Sequence, residues 1–142
     1  MNLKTQLYER LREKGQRVTP QKRAILDILL DNPARMLSVS EICAKMPQGL
    51  DMNDATVYRN VRSFAESGLL ESMIDLKGHS RYMLCDCVHH HHLICTQCGL
   101  IINFPCNNPF WRSLARQHNF KETGHRIEVF GLCDRCQIET GI

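Results

Sequence analysis

The stretch "CDCVHHHHLICTQCG", residues 85–99, decides how the chain is organised, because it holds four cysteines and four consecutive histidines within fifteen positions. A purification tag would lie at a terminus or beside a linker, whereas this run is internal and continues directly into Leu93–Ile94. Thiolate and imidazole are ligands that transition metals prefer, so the stretch predicts metal binding. Seven of the eight cysteines lie at position 85 or later, which indicates two halves with different roles.

The composition is that of a globular protein, with 142 residues of which 43% are hydrophobic and 23% charged. No apolar run approaches the roughly 20 residues that span a bilayer, and the N-terminus lacks the apolar centre of a signal peptide. We therefore expect a cytoplasmic protein that does not contact a membrane, in which thiols bind metal and do not form disulfides. The net charge is only +3, but residues 1–25 carry seven Lys or Arg against two Glu.

The first half has the pattern of three or four helices followed by a β-hairpin. A leucine repeat predicts the first helix, and the pairs Thr19–Pro20 and Ser38–Glu41 predict the starts of the second and third. Residues 55–68, "ATVYRNVRSFAESG", have apolar side chains at helical spacing, and residues 69–84 resemble two strands around Lys77–Gly78. This order predicts a winged helix-turn-helix, whose last helix enters the major groove of DNA.

The polar face of the predicted fourth helix carries hydroxyl and basic side chains that suit DNA. Helix periodicity alone also allows a face that is merely solvated, but the basic residues of the first helices favour DNA binding. Arg17, just before the second helix, could reach a neighbouring minor groove, where positive side chains are attracted. The predicted DNA-binding residues are Arg17, Thr56, Tyr58, Arg59 and Arg62.

Two Cys-x-x-Cys pairs, "CTQC" at 95–98 and "CDRC" at 133–136, predict a tetrahedral zinc site in the second half. A redox dithiol is the weaker interpretation, because two such pairs occur in one small chain. Four protein ligands leave no open coordination position, so the predicted role is structural and not catalytic. The ligands are Cys95, Cys98, Cys133 and Cys136.

The consecutive histidines alternate if the chain is extended, so His90 and His92 face one side and their neighbours the other. For this pair to hold a metal, further ligands must come from elsewhere. Cys85 lies where the hairpin ends and Glu71 where it begins. A regulatory site of these four residues would tie the DNA-binding half to the metal-binding half and set the spacing of two recognition helices in a dimer.

The rest of the second half predicts a small α/β module. Residues 99–104 and 125–133 resemble strands, and residues 107–120 resemble a helix with Asn108 as its cap. Exposed sheet edges there suit dimerisation. The predicted fold class is therefore α+β, with a winged-helix DNA-binding domain at residues 1–84 and a metal-binding dimerisation domain at residues 85–142.

In order along the chain, "RVTPQKRAIL", "ATVYRNV", "HHHHLICTQCG" and "GHRIEVFGLCDRC" resemble the ferric uptake regulator family of bacterial metal-sensing repressors. The resemblance covers nearly the whole chain and implies a homodimer that represses when its regulatory metal is bound. It assigns the same structural cysteines and regulatory histidines as above, and it implies DNA contacts by Tyr58, Arg59 and Arg17. It also implies a second, weaker metal site of His89, His91 and His125, in which Cys106 could replace a missing carboxylate.

The departures from the family pattern favour zinc as the regulatory metal. Iron- and peroxide-sensing relatives have a histidine where this chain has Leu37, and usually a glutamate at the position of Asn103. Cys85 instead occupies the place of a thiolate in the zinc-sensing branch. The resemblance therefore implies a zinc uptake regulator with about two Zn²⁺ per chain and no organic cofactor.

Three other functions stay open at this point. Iron or peroxide sensing is the alternative within the family. A metal-dependent hydrolase is disfavoured because the sequence has no His-Glu-x-x-His run and no recognisable Ser-His-Asp set, so we do not expect an enzyme. A zinc-storage protein is disfavoured because it would not require the DNA-binding pattern "TVYR" on a capped helix.

Overall fold

The computed structural model describes residues 2–50, 52–85, 89–107 and 109–142. It divides the chain into two compact units, Met1–Asp86 and Cys87–Ile142. The division falls two residues beyond the boundary expected after residue 84, so Cys85 belongs to the first unit. Within the described residues, no helix is long and apolar enough to cross a membrane.

The first unit consists of helices packed against a small antiparallel sheet. Its elements are α1 (Leu3–Glu13), α2 (Pro20–Asp31), β1 (Leu37–Ser38), α3 (Val39–Ala44), α4 (Asp54–Glu66), β2 (Leu70–Ile74) and β3 (Ser80–Leu84), and the strand order is β1-β3-β2. β2 and β3 form the predicted hairpin, with Leu70 opposite Leu84. β1, which the sequence analysis did not predict, pairs with β3 and places Leu37 opposite Tyr82.

Side-chain caps determine where these helices begin. Thr19 Oγ1 accepts from the Lys22 amide at 3.2 Å at the start of α2, and Ser38 and Glu41 form the predicted capping box of α3. α4 begins one residue earlier than the quoted segment, because Asn53 caps it by accepting from the Thr56 amide at 2.8 Å. Predicted helix starts in the first half are thus accurate to about a residue.

An apolar core joins α1, α2 and α4 to the sheet. Its fully buried members include Leu11, Ile25, Val61 and Phe64, each 0% exposed. Leu37 is 2% exposed and belongs to the same core. Leu37, where the family resemblance implies a histidine in iron- and peroxide-sensing members, is therefore a packed aliphatic side chain of the core.

The second unit has a three-stranded sheet and two helices. Its elements are β4 (His90–Cys95), β5 (Ile101–Pro105), α5 (Trp111–Gln117), β6 (Glu128–Gly131) and α6 (Asp134–Thr140). The strand order is β5-β4-β6, and β4 runs antiparallel to β5 and parallel to β6. The helix predicted over residues 107–120 is shorter, because α5 begins only after Phe110, and Asn108 lies outside the described residues. The last helix, α6, was not predicted, and Cys133 is its N-cap.

The predicted fold class is confirmed: helices and a hairpin in winged-helix order precede a small α/β unit. The parallel pairing of β4 with β6 matters most for function. It places Cys95 opposite Gly131 and so brings the two Cys-x-x-Cys pairs to the same end of the sheet.

Candidate metal centres and nucleic-acid interface

The structure brings together the four sulfurs of the Cys-x-x-Cys pairs. Their Sγ atoms all lie within 4.8 Å of one another, and Cys98 Sγ lies 3.8 Å from Cys133 Sγ. Four sulfurs each about 2.3 Å from one tetrahedral ion are separated by about 3.8 Å. The cluster of Cys95, Cys98, Cys133 and Cys136 therefore has the dimensions of a tetrahedral thiolate site, and its donors fit Zn²⁺.

Backbone geometry positions each pair. Cys95 ends β4, and the turn after it closes with the Gly99 amide donating to the Cys95 carbonyl at 3.0 Å. Gly99 has φ +76°, a conformation that glycine adopts without a steric penalty. On the other side, Cys133 caps α6 and Cys136 lies inside its first turn.

The thiol pKa values within this cluster diverge. Burial opposes ionisation of Cys95, but backbone N–H groups of Cys133, Cys98 and Gln97 stabilise its thiolate, and the net effect lowers its pKa to about 6. Burial and the neighbouring sulfurs raise the pKa of Cys136 to about 12. The Cys95 thiolate therefore forms readily, whereas ionisation of the buried Cys136 thiol would be favoured by a bound cation.

The histidines of β4 alternate as predicted. His90 Nε2 and His92 Nε2 lie 3.0 Å apart on one face. On the other face the rings of His89 and His91 are 4.9 Å apart. The prediction of two back-to-back histidine pairs is confirmed, and each pair is a candidate set of metal ligands.

A second cluster of four donors forms on the face of His89 and His91. The ligand atoms of these two residues, Cys106 and His125 all lie within 4.8 Å of one another. His125 Nε2 is 2.8 Å from His89 Nε2 and 3.2 Å from Cys106 Sγ. His91 is 3% exposed, and among the described residues its Nε2 has no hydrogen-bond partner. The set suits a four-coordinate ion with nitrogen and sulfur ligands.

Sequence reasoning missed a carboxylate beside this cluster. Glu122 Oε1 lies 2.6 Å from His125 Nδ1 and accepts a hydrogen bond from Trp111 Nε1 at 3.1 Å. The hydrogen bond with His125 lowers the pKa of Glu122, so its carboxylate is ionised at neutral pH. Glu122 precedes His125 by three positions. That spacing does not predict the loop conformation that brings the Glu122 side chain to the His125 ring.

The four residues predicted to form the regulatory site belong to different units. Glu71 and Cys85 lie in the first unit, at the end of the hairpin. Glu71 is opposite Met83, and the Cys85 amide donates to the Leu69 carbonyl at 2.9 Å, so Glu71 and Cys85 share one face of the hairpin. His90 and His92 lie in the second unit. The joint site stays a prediction.

The predicted DNA-binding residues lie on the exposed side of α4 and on the segment before α2. Tyr58, Arg59, Arg62 and Arg17 are exposed, and Thr56 is half-buried. Arg59 donates to Thr56 Oγ1 at 3.2 Å, while Arg62 pairs with the exposed Glu66 at 3.2 Å. Such exposed pairs are weak and easily exchanged for phosphate contacts.

Two further residues of the described part of the chain, Cys43 and His79, lie outside these clusters. Cys43 packs against the core of the first unit, and burial raises its pKa to about 11, as expected for a packing thiol. His79 Nδ1 lies 3.8 Å from Asp75 Oδ2 at the hairpin turn. Cys87 lies outside the described residues.

Comparison with known proteins gives a consistent result. Residues 13–130 match the sequence profile of the ferric uptake regulator family. The peroxide-responsive repressor of Staphylococcus aureus is 33% identical over 129 residues, covering 89% of this chain and 86% of that protein. The crystal structure of the Vibrio cholerae ferric uptake regulator is 28% identical with a TM-score of 0.72, covering 89% of this chain and 98% of that chain.

A zinc-bound manganese uptake regulator is 32% identical with a TM-score of 0.68, and it too covers 89% of this chain and 98% of that chain. The profile match extends over most of both units. It follows that this chain belongs to the ferric uptake regulator family, whose members are metal-responsive, DNA-binding transcriptional regulators.

Proposed function

We propose that this chain is a zinc-responsive transcriptional repressor that binds operator DNA as a metal-loaded homodimer and controls zinc uptake and homeostasis genes. The observation that carries the proposal is the pair of imidazole nitrogens on one face of β4, His90 Nε2 and His92 Nε2, 3.0 Å apart. This pair is separate from the four-sulfur cluster, so one chain has donors for both a structural and a regulatory ion.

The donor set favours zinc over iron or manganese at the regulatory position. Cys85 and Glu71 would complete the histidine pair to one thiolate, one carboxylate and two imidazoles, a four-coordinate set that suits Zn²⁺. Oxygen-rich sites of higher coordination number suit Mn²⁺ better. The buried Leu37 supports the same choice, because it offers no ligand where the family resemblance implies a histidine in iron- and peroxide-sensing members.

Metal binding would control DNA binding because the four ligands come from both units. A ligand set of this kind has differential affinity for the arrangement of the units that it holds, and DNA selects the same arrangement. In that arrangement α4 presents Tyr58, Arg59 and Arg62 to the major groove, and Arg17 reaches a neighbouring minor groove. We expect the protein to act in the cytoplasm.

The four-sulfur cluster has a structural role in this proposal. Cys95, Cys98, Cys133 and Cys136 would hold one Zn²⁺ with no open position, so the ion stabilises the second unit and is not exchanged during regulation. A closed structural site and a regulatory site without an activated nucleophile give no basis for catalysis, and we propose that the protein is not an enzyme.

Iron or peroxide sensing is the second candidate. It is favoured by the 33% identity between this chain and the peroxide-responsive repressor of Staphylococcus aureus. The two candidates differ in the metal that raises DNA affinity. A zinc store is a weaker alternative, since it would not use the exposed basic face of α4.

The test begins by selecting operator fragments from random duplex DNA with the zinc-loaded chain. Fluorescence anisotropy then measures DNA affinity while Zn²⁺, or Fe²⁺ under anaerobic conditions, is added beyond the first equivalent. We expect Zn²⁺ to raise affinity by about 5–150-fold. A rise with Fe²⁺ and a flat response to Zn²⁺ would support iron sensing and contradict the proposal.

Matched variants separate the two functions of the chain. Cys85→Ser should abolish the rise in DNA affinity with Zn²⁺. Cys43→Ser, which removes a thiol of the first unit outside the metal clusters, should retain that rise. Arg59→Ala should weaken operator binding without changing zinc content measured by elemental analysis. Unchanged DNA affinity of Arg59→Ala would favour the zinc store.

A further inference from the structure

The cluster of His89, His91, Cys106 and His125, hereafter the three-histidine cluster, has a carboxylate directly behind one of its ligands. Glu122 Oε1 lies 2.6 Å from His125 Nδ1, on the opposite side of the imidazole from Cys106 and His89. Metal-binding histidines commonly donate their second ring N–H to a carboxylate, which orients the ring and raises its basicity.

This contact determines which nitrogen of His125 can bind a metal. An ionised carboxylate can only accept a hydrogen bond, so Nδ1 must carry the proton that bridges to Glu122. In the neutral imidazole the lone pair is then on Nε2, the atom that lies 2.8 Å from His89 Nε2 and 3.2 Å from Cys106 Sγ. Glu122 therefore directs the lone pair of His125 into the cluster.

A second observation points to a ligand at this place. His91 is 3% exposed, and its Nε2 has no hydrogen-bond partner among the described residues. A buried imidazole nitrogen without a partner is costly, and coordination of an ion in the cluster would supply that partner. Cys106 places a sulfur in the cluster, a donor that favours Zn²⁺ over Mn²⁺ or Fe²⁺.

Glu122 also connects the cluster to α5. Trp111, the single tryptophan of the chain, donates Nε1–H to the same Glu122 oxygen at 3.1 Å. Its ring centroid lies 4.5 Å from that of His125 and 6.4 Å from that of His91. One carboxylate thus holds both a ligand of the cluster and the first residue of α5.

The family resemblance already implies a metal site at the three-histidine cluster. We propose that Glu122 is the positioning residue of this site when it holds zinc, and that Glu122 couples occupancy of the site to Trp111. The inference rests on the proposed zinc binding of this chain, but not on zinc control of DNA binding. Glu122 does not bind the ion itself; it acts through His125.

The experiment titrates Zn²⁺ into the full chain whose four-sulfur cluster is already loaded. Affinity is measured by competition with a chromophoric chelator, and Trp111 fluorescence provides a second readout. Cys85→Ser isolates the three-histidine cluster from the regulatory ligands and should retain the fluorescence response, whereas Cys106→Ser should lose it.

Substitutions of Glu122 then test its positioning role. Glu122→Ala should weaken zinc binding at this site by about 10–100-fold. Glu122→Gln keeps an oxygen that accepts from both N–H groups, so its affinity should lie between those of Glu122→Ala and the unmodified chain. Glu66→Gln, which removes an exposed carboxylate of α4, is the control and should bind like the unmodified chain. The zinc content of the four-sulfur cluster should be the same in all variants.

Equal affinity of Glu122→Ala and Glu66→Gln would overturn the inference, as would a Zn²⁺ titration in which Trp111 does not respond. If Glu122→Ala does not fold, the intermediate affinity expected of Glu122→Gln decides the outcome. A zinc response at Trp111 without any effect of zinc on operator binding would contradict the proposed function and leave this inference standing. An effect of zinc on operator binding without a zinc response at Trp111 would support the proposed function and contradict this inference.

Discussion

The two units of this chain are stabilised by different kinds of interior. The first unit buries aliphatic and aromatic side chains from four helices and a sheet, among them Phe64 and Val61. The described residues of the second unit bury few hydrophobic side chains, chiefly Ile94 and Ile101. The rest of its buried positions are metal-ligand types: Cys95, Cys136, His91 and His92.

This difference indicates how each unit obtains its stability. Apolar burial contributes about 25 cal/mol per Å² without any added component, so the first unit can fold by itself. A unit of this size with few buried hydrophobic residues usually depends on a metal or disulfides. The second unit should therefore lose its fold with its metal, and the first should not.

The largest expected effect comes from breaking the four-sulfur cluster. Binding of a structural zinc contributes about 10–16 kcal/mol in small zinc domains, far more than the second unit could replace. Cys136→Ser, or removal of zinc by a strong chelator, should unfold the second unit while the first stays folded. Hydrogen exchange followed by mass spectrometry should show lost protection over β4–β6 and retained protection over α1–α4.

Cys43→Ser is the matched control, because it removes a cysteine from the first unit and leaves all four sulfurs of the cluster. Retained protection in the second unit of Cys136→Ser would contradict the dependence on metal. Simultaneous loss of protection from hydrogen exchange in both units of Cys136→Ser would show that the units do not fold separately.

A smaller effect, confined to the other unit, is expected from a cavity in the apolar core. Phe64→Ala should destabilise the first unit by about 3–5 kcal/mol, because the ring is 0% exposed and α4 cannot collapse onto the space. Urea unfolding followed by circular dichroism measures the loss, and elemental analysis should find unchanged zinc content. Phe110→Ala, at a residue 74% exposed, is the control and should change stability little.

The smallest effect concerns the hairpin turn and its pH dependence. The Arg81 side chain and the His79 and Lys77 amides hydrogen-bond the Asp75 carboxylate and lower its pKa to about 2. The unfolded value is about 3.9, so this contribution to stability is present above about pH 4 and is lost as the pH falls toward 2.

Asp75→Asn should remove the part of the pH dependence of stability that comes from the Asp75 carboxylate. The difference in urea midpoint between the unmodified chain and Asp75→Asn, read from the helices of the first unit, should be largest near pH 5 and shrink as the pH is lowered. A difference that stays constant from pH 5 to pH 2 would show that the carboxylate is not held ionised by these contacts.

Several local features could be predicted because their determinants are adjacent in sequence. Thr19 and Ser38 mark helix starts through hydrogen bonds that span three residues, and the histidine alternation follows from the period of an extended strand. Other features were missed because their determinants are distant. β1 is a strand only because Leu37 pairs with Tyr82, and Glu122 meets Trp111 only through the path of the loop after α5.

The sequence by itself determined the type of metal ligand, the spacing of the cysteine pairs and the caps of α2 and α3, since these depend on residue identity and short-range geometry. Only the tertiary structure decided which donors meet. The parallel pairing of β4 with β6 joins Cys95 to the cysteines of α6. The fold of the second unit turns Cys106, His125 and Glu122 toward β4, because contacts between residues far apart in sequence depend on packing and not on spacing.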